Sequence, residues 1–436
     1  MLRIIWKQIV NRRKSNGWIL LELLCVFCLA WYIVDFFFVL EYNRSLASHR
    51  DVRNTYRIDV GTLPASHAGY DTASAAPPAA IAHLQRVVAR IKEYPDVESA
   101  GLCLGDYSLP GTGSFNGSTY RSAQDTLKTI SIQRINFIAE EDYFKVFRHT
   151  SGRGGRPVSL ADYDWGAPGV ALVTRIVAET LFPGEEAVGK IIESTWVSPE
   201  YPREQYRIAG VTDDLKRFNY SRPHGVVFFP ARIDESNYLY VSIAVRSRGH
   251  IPAARFMKEF RQQMSAPLRI GNYYLKNMAS LVQVEAGTNY SFGITNTIRM
   301  HAALMAFFLV TVALCVLGAF LYRVNVRREE IGIRRAMGAG NHGIRWMFIL
   351  EGLLLLSIAA IPAMIIEVQF ISAGLIDTLG KHDMSPGDYL PDNGLLRFLI
   401  TNLVTWLTLA GIIVPAILYP AWRAGRITPV EALRDE

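Results

Sequence analysis

The chain has 436 residues, half of them hydrophobic, with 46 Lys and Arg against 39 Asp and Glu for a formal charge of +7. A chain of this size and apolar content holds either several soluble domains or one domain with membrane spans. Cys25, Cys28 and Cys315 fall in apolar runs and Cys103 stands alone, which excludes a disulfide framework; the basic excess collects beside those runs, so no nucleic-acid role is needed to explain it.

At the N-terminus Leu2, Ile5, Trp6 and Ile9 share one helical face, while Arg3, Lys7 and Arg12 can reach lipid headgroups. That pattern predicts an interfacial amphipathic helix over residues 1–17. The apolar run Trp18–Leu40 reaches the roughly 20 residues a helix needs to cross a hydrocarbon core. It is too long for the apolar core of a signal peptide and lacks a small-residue cleavage site, so a retained anchor is expected.

Residues 41–297 form the next region. Thr55–Val60 reads as a strand, Ala65–Ala80 as a small-residue link, and Ala79–Tyr94 as a helix with Ile81, Leu84, Val88 and Ile91 at three- and four-residue spacing. Pro95 and Asp96 end the helix, and a strand follows from Val97. The same order returns late in the region, with a strand over Tyr238–Arg246, a helix over Pro252–Met264 and a strand over Leu268–Leu275. This suggests an internal duplication. Between the two copies, Lys128–Pro230 is rich in β-branched and aromatic residues and predicts a β-rich insert with a helix near Thr174–Leu181. Ser151–Pro157 is expected as a surface loop. The sequons at Asn43, Asn116, Asn219 and Asn289 are taken as chance matches.

Three more apolar runs close the chain: Ala302–Tyr322, Met347–Val368 and Phe398–Tyr419. The first and last of these carry no charge, whereas Glu22 and Asp35 lie in the anchor and Glu351 and Glu367 in the third span. Carboxylates are costly at a bilayer centre and cheap near its faces. Glu22, Asp35 and Glu367, close to span ends, are therefore expected to be interfacial and partly hydrated, and Glu351 to serve packing or snorkelling. Arg3, Lys7, Arg12, Arg13 and Lys14 precede the first span, and Arg323, Arg327, Arg328, Arg334, Arg335 and Arg345 lie between the second and third. Asp377, Asp383, Asp388 and Asp392 dominate the last loop. The positive-inside rule then places both termini and the 323–346 loop in the cytoplasm, and residues 41–297 outside.

Catalytic, cofactor-binding and metal-binding residues are not expected. Gly184–Lys190 (GEEAVGK) has the glycine and lysine spacing of a phosphate loop, but Ile191 stands where a Ser or Thr must hold magnesium, so a turn before a strand is expected. The nine histidines show no ligand spacing. Glu140, Glu141 and Asp142 are expected to cap a short helix. The informative segment is Arg327–Gly340 (RREEIGIRRAMGAG), a dense, mixed-sign, glycine-punctuated stretch between two spans. It reads as a short surface helix offered to a soluble partner. An ordinary basic loop held by anionic lipid explains its arginines but not the interleaved EIGI.

These residues resemble the MacB/FtsX-type ABC transporter permeases. RREEIGIRRAMGAG followed by MFILEG, and the tail PAWRAGRITPVEALRDE (Pro420–Glu436), are similar to that family's cytoplasmic motifs. INFIAEEDYFKVF (Ile135–Phe147), VALVTRIVAETLFPGEEAVGKII (Val170–Ile192) and YRIAGVTDDLK (Tyr206–Lys216) resemble successive elements of its periplasmic core. The resemblance implies an integral membrane protein with four transmembrane α-helices and a large α+β extracytoplasmic domain, a strand-helix repeat module with an inserted β-rich module.

The expected layout is an N-terminal helix 1–17, span 18–40, outer domain 41–297, span 298–322, coupling loop 323–346, span 347–369, outer loop 370–396, span 397–419 and tail 420–436. The family also implies a bacterial inner-membrane location and a pair of permeases, alike or related. With so short a stretch before the first span, the cytoplasmic ABC ATPase is expected as a separate subunit. A periplasmic adaptor and an outer-membrane channel are possible further partners, with membrane lipid around the spans. Glu329–Ala339 corresponds to the coupling helix, with Glu329 at its start: Ile331, Ile333 and Met337 would enter a groove of the ATPase, Glu330, Arg334 and Arg335 would set polar register, and Gly332 and Gly338 would permit close approach or a turn. An FtsX-like regulator of a cell-wall hydrolase and a membrane-anchored receptor are the competing expectations.

Overall fold

The computed structural model describes residues 13–151, 156–159, 169–196, 204–374, 394–424 and 426. Most of the N-terminal amphipathic stretch, most of the Ser151–Pro157 loop, the acidic loop after the third span and most of the C-terminal tail lie outside these residues. The chain divides into an α+β unit, Asn43–Ile294, and a helical unit made of the residues up to Tyr42 and from Thr295 onward.

In chain order the elements are α1 (Arg13–Ser45), β1 (Thr55–Thr62), α2 (Pro77–Lys92), β2 (Val97–Leu104), β3 (Gly117–Ser122), β4 (Thr129–Ile138) and α3 (Tyr143–Phe147). Next come β5 (Val170–Thr174), α4 (Arg175–Leu181), β6 (Ile191–Ser194), β7 (Gln205–Thr212), β8 (Leu215–Lys216), β9 (Pro223–His224), β10 (Val226–Ala231) and β11 (Val241–Ser247). The chain continues through α5 (Ala253–Met264), β12 (Tyr273–Ser280), α6 (Leu281–Ser291), α7 (Ile294–Val326), α8 (Arg328–Ala336), α9 (Asn341–Ser372) and α10 (Gly394–Ala424).

The duplication suggested by the sequence has a geometric form. β1-α2-β2 and β11-α5-β12 are strand-helix-strand units whose strands interleave in the order β2-β11-β1-β12. β11 is antiparallel to both β1 and β2, and β1 is antiparallel to both β11 and β12, so each unit lends the other its central strand. Leu84, Val88 and Ile91 of α2 and Phe256, Phe260 and Met264 of α5 are buried with Ile58, Leu102, Ile243 and Val245 of the sheet. Pro77 at its first turn and the apolar three- and four-residue spacing make α2 a helix. Two strand limits differ from expectation. Tyr238–Tyr240 is a 3-10 turn rather than strand, because Asp234 receives the Ser236 amide and hydroxyl and holds the chain in a turn just upstream. The last strand begins at Tyr273, not Leu268. Gly271 there has φ 57°, and the Asn272 side chain exchanges two hydrogen bonds with the Asp71 backbone at 2.8 and 2.9 Å.

The β-rich insert is more closed than its sequence suggests. β4, β10, β5, β7, β6 and β3 pair in succession, and β3 returns to β4, so the ladder forms a ring without free edges. Tyr120, Ile132, Val173, Ile192, Ile208 and Val227 fill it together with Val177 and Leu181 of α4. β4 belongs to both modules: it also meets β2 at the Cys103–Phe137 pair.

In the helical unit α1, α7, α9 and α10 contain the helices long and apolar enough to cross a membrane, Gly17–Ser45, Ile294–Val326, Asn341–Ser372 and Gly394–Ala424. Phe27, Val316, Phe320, Phe348, Leu355, Leu356, Leu409, Ile413 and Ile417 form their shared core. Gly352 lets α9 and α10 meet closely, since a Cβ there would stand 2.2 Å from Ile417 Cδ1, whereas Gly318 faces open space.

Candidate coupling site

α8 is nine residues long and sits between α7 and α9. Its sequence specifies both ends. Glu329 and Glu330 lie in the first turn and Arg334 and Arg335 in the last, each complementing the helix dipole. Gly338 ends the helix at φ 94°, with its amide donating to the Arg335 carbonyl and the Ala339 amide to the Arg334 carbonyl, both at 3.0 Å. That pair of bonds is a Schellman stop, which needs the left-handed conformation glycine adopts freely.

The helix is fixed from below by a buried ion triad. Glu351 of α9, fully buried, accepts from Arg323 Nη1 at 2.6 Å and from Arg327 Nη1 and Nη2 at 2.8 and 3.1 Å. Arg323 and Arg327 are themselves 5% and 2% exposed. Arg327 is the residue that caps α8, so the triad ties the start of that helix to the third span. Glu351 is therefore neither snorkelling nor merely packed.

The sequence motif divides into two faces. Ile331 is 1% exposed and lies in the bundle core with Val324, Ile344, Met347 and Phe348, so the expectation that it enters a partner's groove is corrected. A nine-residue helix with three apolar side chains must turn one inward to be held at all, and Ile331 lies four residues after the anchored Arg327. Gly332 is buried beside it. Ile333 and Met337, four residues apart on one face, are 51% and 76% exposed. Glu329, Glu330 and Gly338 are exposed, and Arg334 and Arg335 are half-buried. Two exposed apolar side chains flanked by acids at one end and bases at the other form an apolar ridge on the surface of α8.

Other charged positions also depart from expectation. Asp35 of α1 is 2% exposed and pairs with buried Arg397 of α10, Nε to Oδ1 at 2.7 Å. Glu367 is fully buried. Neither is hydrated, because the helices cover them with one another rather than with water. Glu22 is half-buried, receiving the Cys315 thiol at 2.6 Å. In the α+β unit Asp142, next to Glu141, holds the N-cap position of α3 without a side-chain capping bond. Glu141 and Asp142 bind Lys92 at 3.1 and 3.2 Å, and Asp142 also receives Lys145 at 2.8 Å. Burial raises the Glu141 carboxyl above its ordinary range, against the pull of the Lys92 ammonium. Gly184–Lys190 is a turn before β6, with positive φ at Gly184 and Gly189 and Lys190 folded back on Glu185. No group of acidic, histidine or cysteine side chains that could hold a metal occurs among the described residues.

One anchoring residue is not evident in the sequence. Lys216, 4% exposed, donates to the carbonyls of Asn43 and Leu46 at 2.8 and 2.9 Å, with Arg44 and Asn219 at 3.5 and 3.4 Å. An ammonium on the last carbonyls of α1 complements the negative end of that helix. Burial lowers the Lys216 amine below its ordinary range, with Glu285 opposing. Only its position in YRIAGVTDDLK draws attention to it.

The MacB-like periplasmic core domain family matches residues 38–263, and the FtsX-like permease C-terminal family matches residues 302–429. The second match encloses the ridge and the triad. The chain is 24% identical over 309 residues to the macrolide export ATP-binding/permease protein MacB of Mannheimia succiniciproducens, covering 68% of this chain and 42% of that protein. It is 27% identical over 239 residues to the uncharacterized ABC transporter permease YvrN of Bacillus subtilis, covering 51% and 54% respectively. The chain thus spans less than two thirds of the length of these relatives. Among solved structures, the periplasmic region of MacB from Actinobacillus actinomycetemcomitans aligns at TM-score 0.31 and 11% identity, covering 54% of this chain and 92% of that one. With half its length matched by the periplasmic core and its closing spans by the permease C-terminus, this chain is a member of the MacB/FtsX-type family of ABC transporter permeases.

Proposed function

We propose that this protein is a mechanotransmission permease subunit, a transporter component rather than an enzyme. An ABC ATPase docks on the α8 ridge from the cytoplasm, inserting Ile333 and Met337 into a groove while Glu329, Glu330, Arg334 and Arg335 fix its register. ATP-driven closure of two such ATPases moves a pair of permeases, and the periplasmic domains use that motion to export or extract a substrate outside the inner membrane. Both termini lie in the cytoplasm in this reading, which the arginine distribution between the spans supports. A periplasmic adaptor and an outer-membrane channel complete the path.

The observation that carries this reading is the pairing of an exposed apolar ridge with a buried triad directly beneath it. A helix that served only as a surface loop needs no such anchor. A helix that transmits force must not tilt when pushed, and Arg323, Arg327 and Glu351 hold its base to the third span.

Affinity purification of the intact chain in mild detergent tests the proposal. An ABC-type ATPase is expected to co-purify, and Ile333→Asp with Met337→Asp to abolish its recovery while the permease stays folded, because both side chains are exposed. Undiminished ATPase recovery with the double variant would remove the ridge from consideration.

A further inference from the structure

Within the α+β unit, the hairpin that joins β7 to β10 of the insert is gripped at its tip from two sides. Its stems are β8 and β9, which pair Leu215 with His224 and Lys216 with Pro223. Its base is fixed on β4, where the Gln133 amide donates to the Gly225 carbonyl at 2.9 Å and the Gln133 side chain meets His224 Nε2 at 2.9 Å. Loop tips ordinarily face solvent. Here Phe218, Tyr220 and Ser221 are buried, and Phe218 stacks on Tyr220 with ring centroids 5.1 Å apart. The Ser221 hydroxyl accepts from the Phe218 amide at 3.1 Å, so the turn is closed by its own side chain.

On one side stands the segment that leaves α1. Asn43 Nδ2 donates to the Tyr220 carbonyl at 2.9 Å and Arg50 Nη2 to the Arg217 carbonyl at 3.0 Å. Lys216 donates in the opposite sense, to the carbonyls of Asn43 and Leu46. On the other side stands α6, which runs through Phe292 and Gly293 into α7. Glu285 Oε1 of α6 accepts from the Asn219 amide at 2.8 Å, and Phe292 meets Phe218 edge to face at 5.8 Å. Arg217 Nη2 also donates to the Gly113 carbonyl at 2.7 Å. Gly113, at φ 80°, is itself pressed on α6, since a Cβ there would stand 2.8 Å from Thr288 and 2.9 Å from Phe292. Asn43, Lys216 and Tyr220 are buried, so a shift of the α1 segment away from the tip breaks bonds that water cannot replace.

We propose that the hairpin Leu215–His224 is the link through which movement of the two span-connected segments reaches the β-rich insert, with Lys216 and Glu285 as its positioning residues. This role rests on the mechanotransmission reading. When the end of α1 and α6 change their spacing, the tip follows the bonds that hold it. β7 and β10 then move, because the hairpin continues both strands and is packed and hydrogen-bonded along its length. The insert is a closed ring, so a displacement at these two strands is passed around it rather than absorbed at a free edge.

Hydrogen exchange of the intact permease with its co-purified ATPase in lipid nanodiscs tests the link, compared without nucleotide and with a non-hydrolysable ATP analogue. In the wild type the analogue should change exchange at the end of α1, in α6, and in β7 and β10. In Lys216→Met combined with Glu285→Ala, the end of α1 and α6 should still respond while β7 and β10 no longer do. ATPase recovery and the nucleotide-free exchange of β2 and β11 should stay as in the wild type. A role confined to holding the fold would not separate the two responses. Glu285→Ala alone changes a half-buried position on a helix, leaves the buried ammonium in place, and should already weaken the response of β7 and β10. A β7 and β10 response of wild-type size in either variant would overturn the proposal. No response to the analogue anywhere in the outer domain of the wild type would instead refute mechanotransmission, and the link with it.

Discussion

Removing the charge of Glu351 perturbs the base of α8 most directly. In Glu351→Gln two guanidinium groups, 5% and 2% exposed, lose the carboxylate that receives three of their hydrogen bonds. Breaking a buried ion pair by deleting one partner costs about 3–5 kcal/mol, since the remaining charge is neither solvated nor matched. Here two cations remain, about one helical turn apart on neighbouring stretches of chain, so the upper part of that range is expected. Replacing all three residues by apolar ones of similar size, Arg323→Met, Arg327→Met and Glu351→Leu, should recover most of the stability, because the desolvation cost disappears with the charges. Unfolding of detergent-solubilised protein followed by tryptophan fluorescence gives both numbers, and limited proteolysis near Gly338–Gly340 reports whether α8 is still held. The triple variant is expected to be stable yet poor at transmitting ATP hydrolysis, since the bidentate geometry that orients Arg327 is gone. A loss below about 1 kcal/mol for Glu351→Gln would mean that the triad is wet, and the argument for a rigid base would fail.

Three other outcomes follow from particular side chains. His149 is 1% exposed, neither ring nitrogen has a partner, and burial with the nearby Arg50 charge lowers its pKa from the ordinary 6.5 to about 3. Its folded pKa lies below the unfolded one, so stability is intact above pH 6.5 and falls as pH drops toward 3, by roughly 2 kcal/mol at pH 5. Thermal unfolding of the wild type should show that loss and His149→Phe should lack it, whereas parallel pH curves would contradict a buried neutral ring. Gly352→Val should cost about 1–3 kcal/mol by crowding Ile417, while Gly318→Ala, with nothing within 4 Å, should be neutral or slightly stabilising; comparable losses in the two would refute the close α9–α10 contact. Lys216→Met leaves the carbonyls of Asn43 and Leu46 without their donor and should cost about 1–3 kcal/mol, with faster amide exchange at residues 43–46 as the local signature. Unchanged exchange there would show that the last turn of α1 is held by other contacts.

Sequence periodicity was enough to find the spans and the repeat helices, because each must bury one continuous stripe or a whole apolar surface. Leu84, Val88 and Ile91 are buried where their spacing placed them, while Ile81 is half-buried. Long-range closure was beyond that signal. The ring of the insert depends on β10 lying beside β4, some ninety positions away in the chain, which no local pattern encodes. Charges in the spans were visible as anomalies, but their partners were not. Asp35 finds Arg397 across 362 positions, which an assumption of hydrated span ends missed, and Glu351 finds arginines on the far side of α8, which an expectation of packing or snorkelling missed. The coupling segment was legible as a motif but not as a solid object. Ile331, Ile333 and Met337 look equivalent in sequence, and only packing against Ile344, Met347 and Phe348 distinguishes the one that faces inward.

The most direct measurement is photo-crosslinking in native membranes, with a photoreactive residue placed singly at Met337, Ile333 or Ile331. Adducts to an ABC-type ATPase are expected at Met337 and Ile333, and only intramolecular products at Ile331. An ATPase adduct at Ile331, or no ATPase adduct at the two exposed positions, would contradict the assignment of this ridge as the coupling surface.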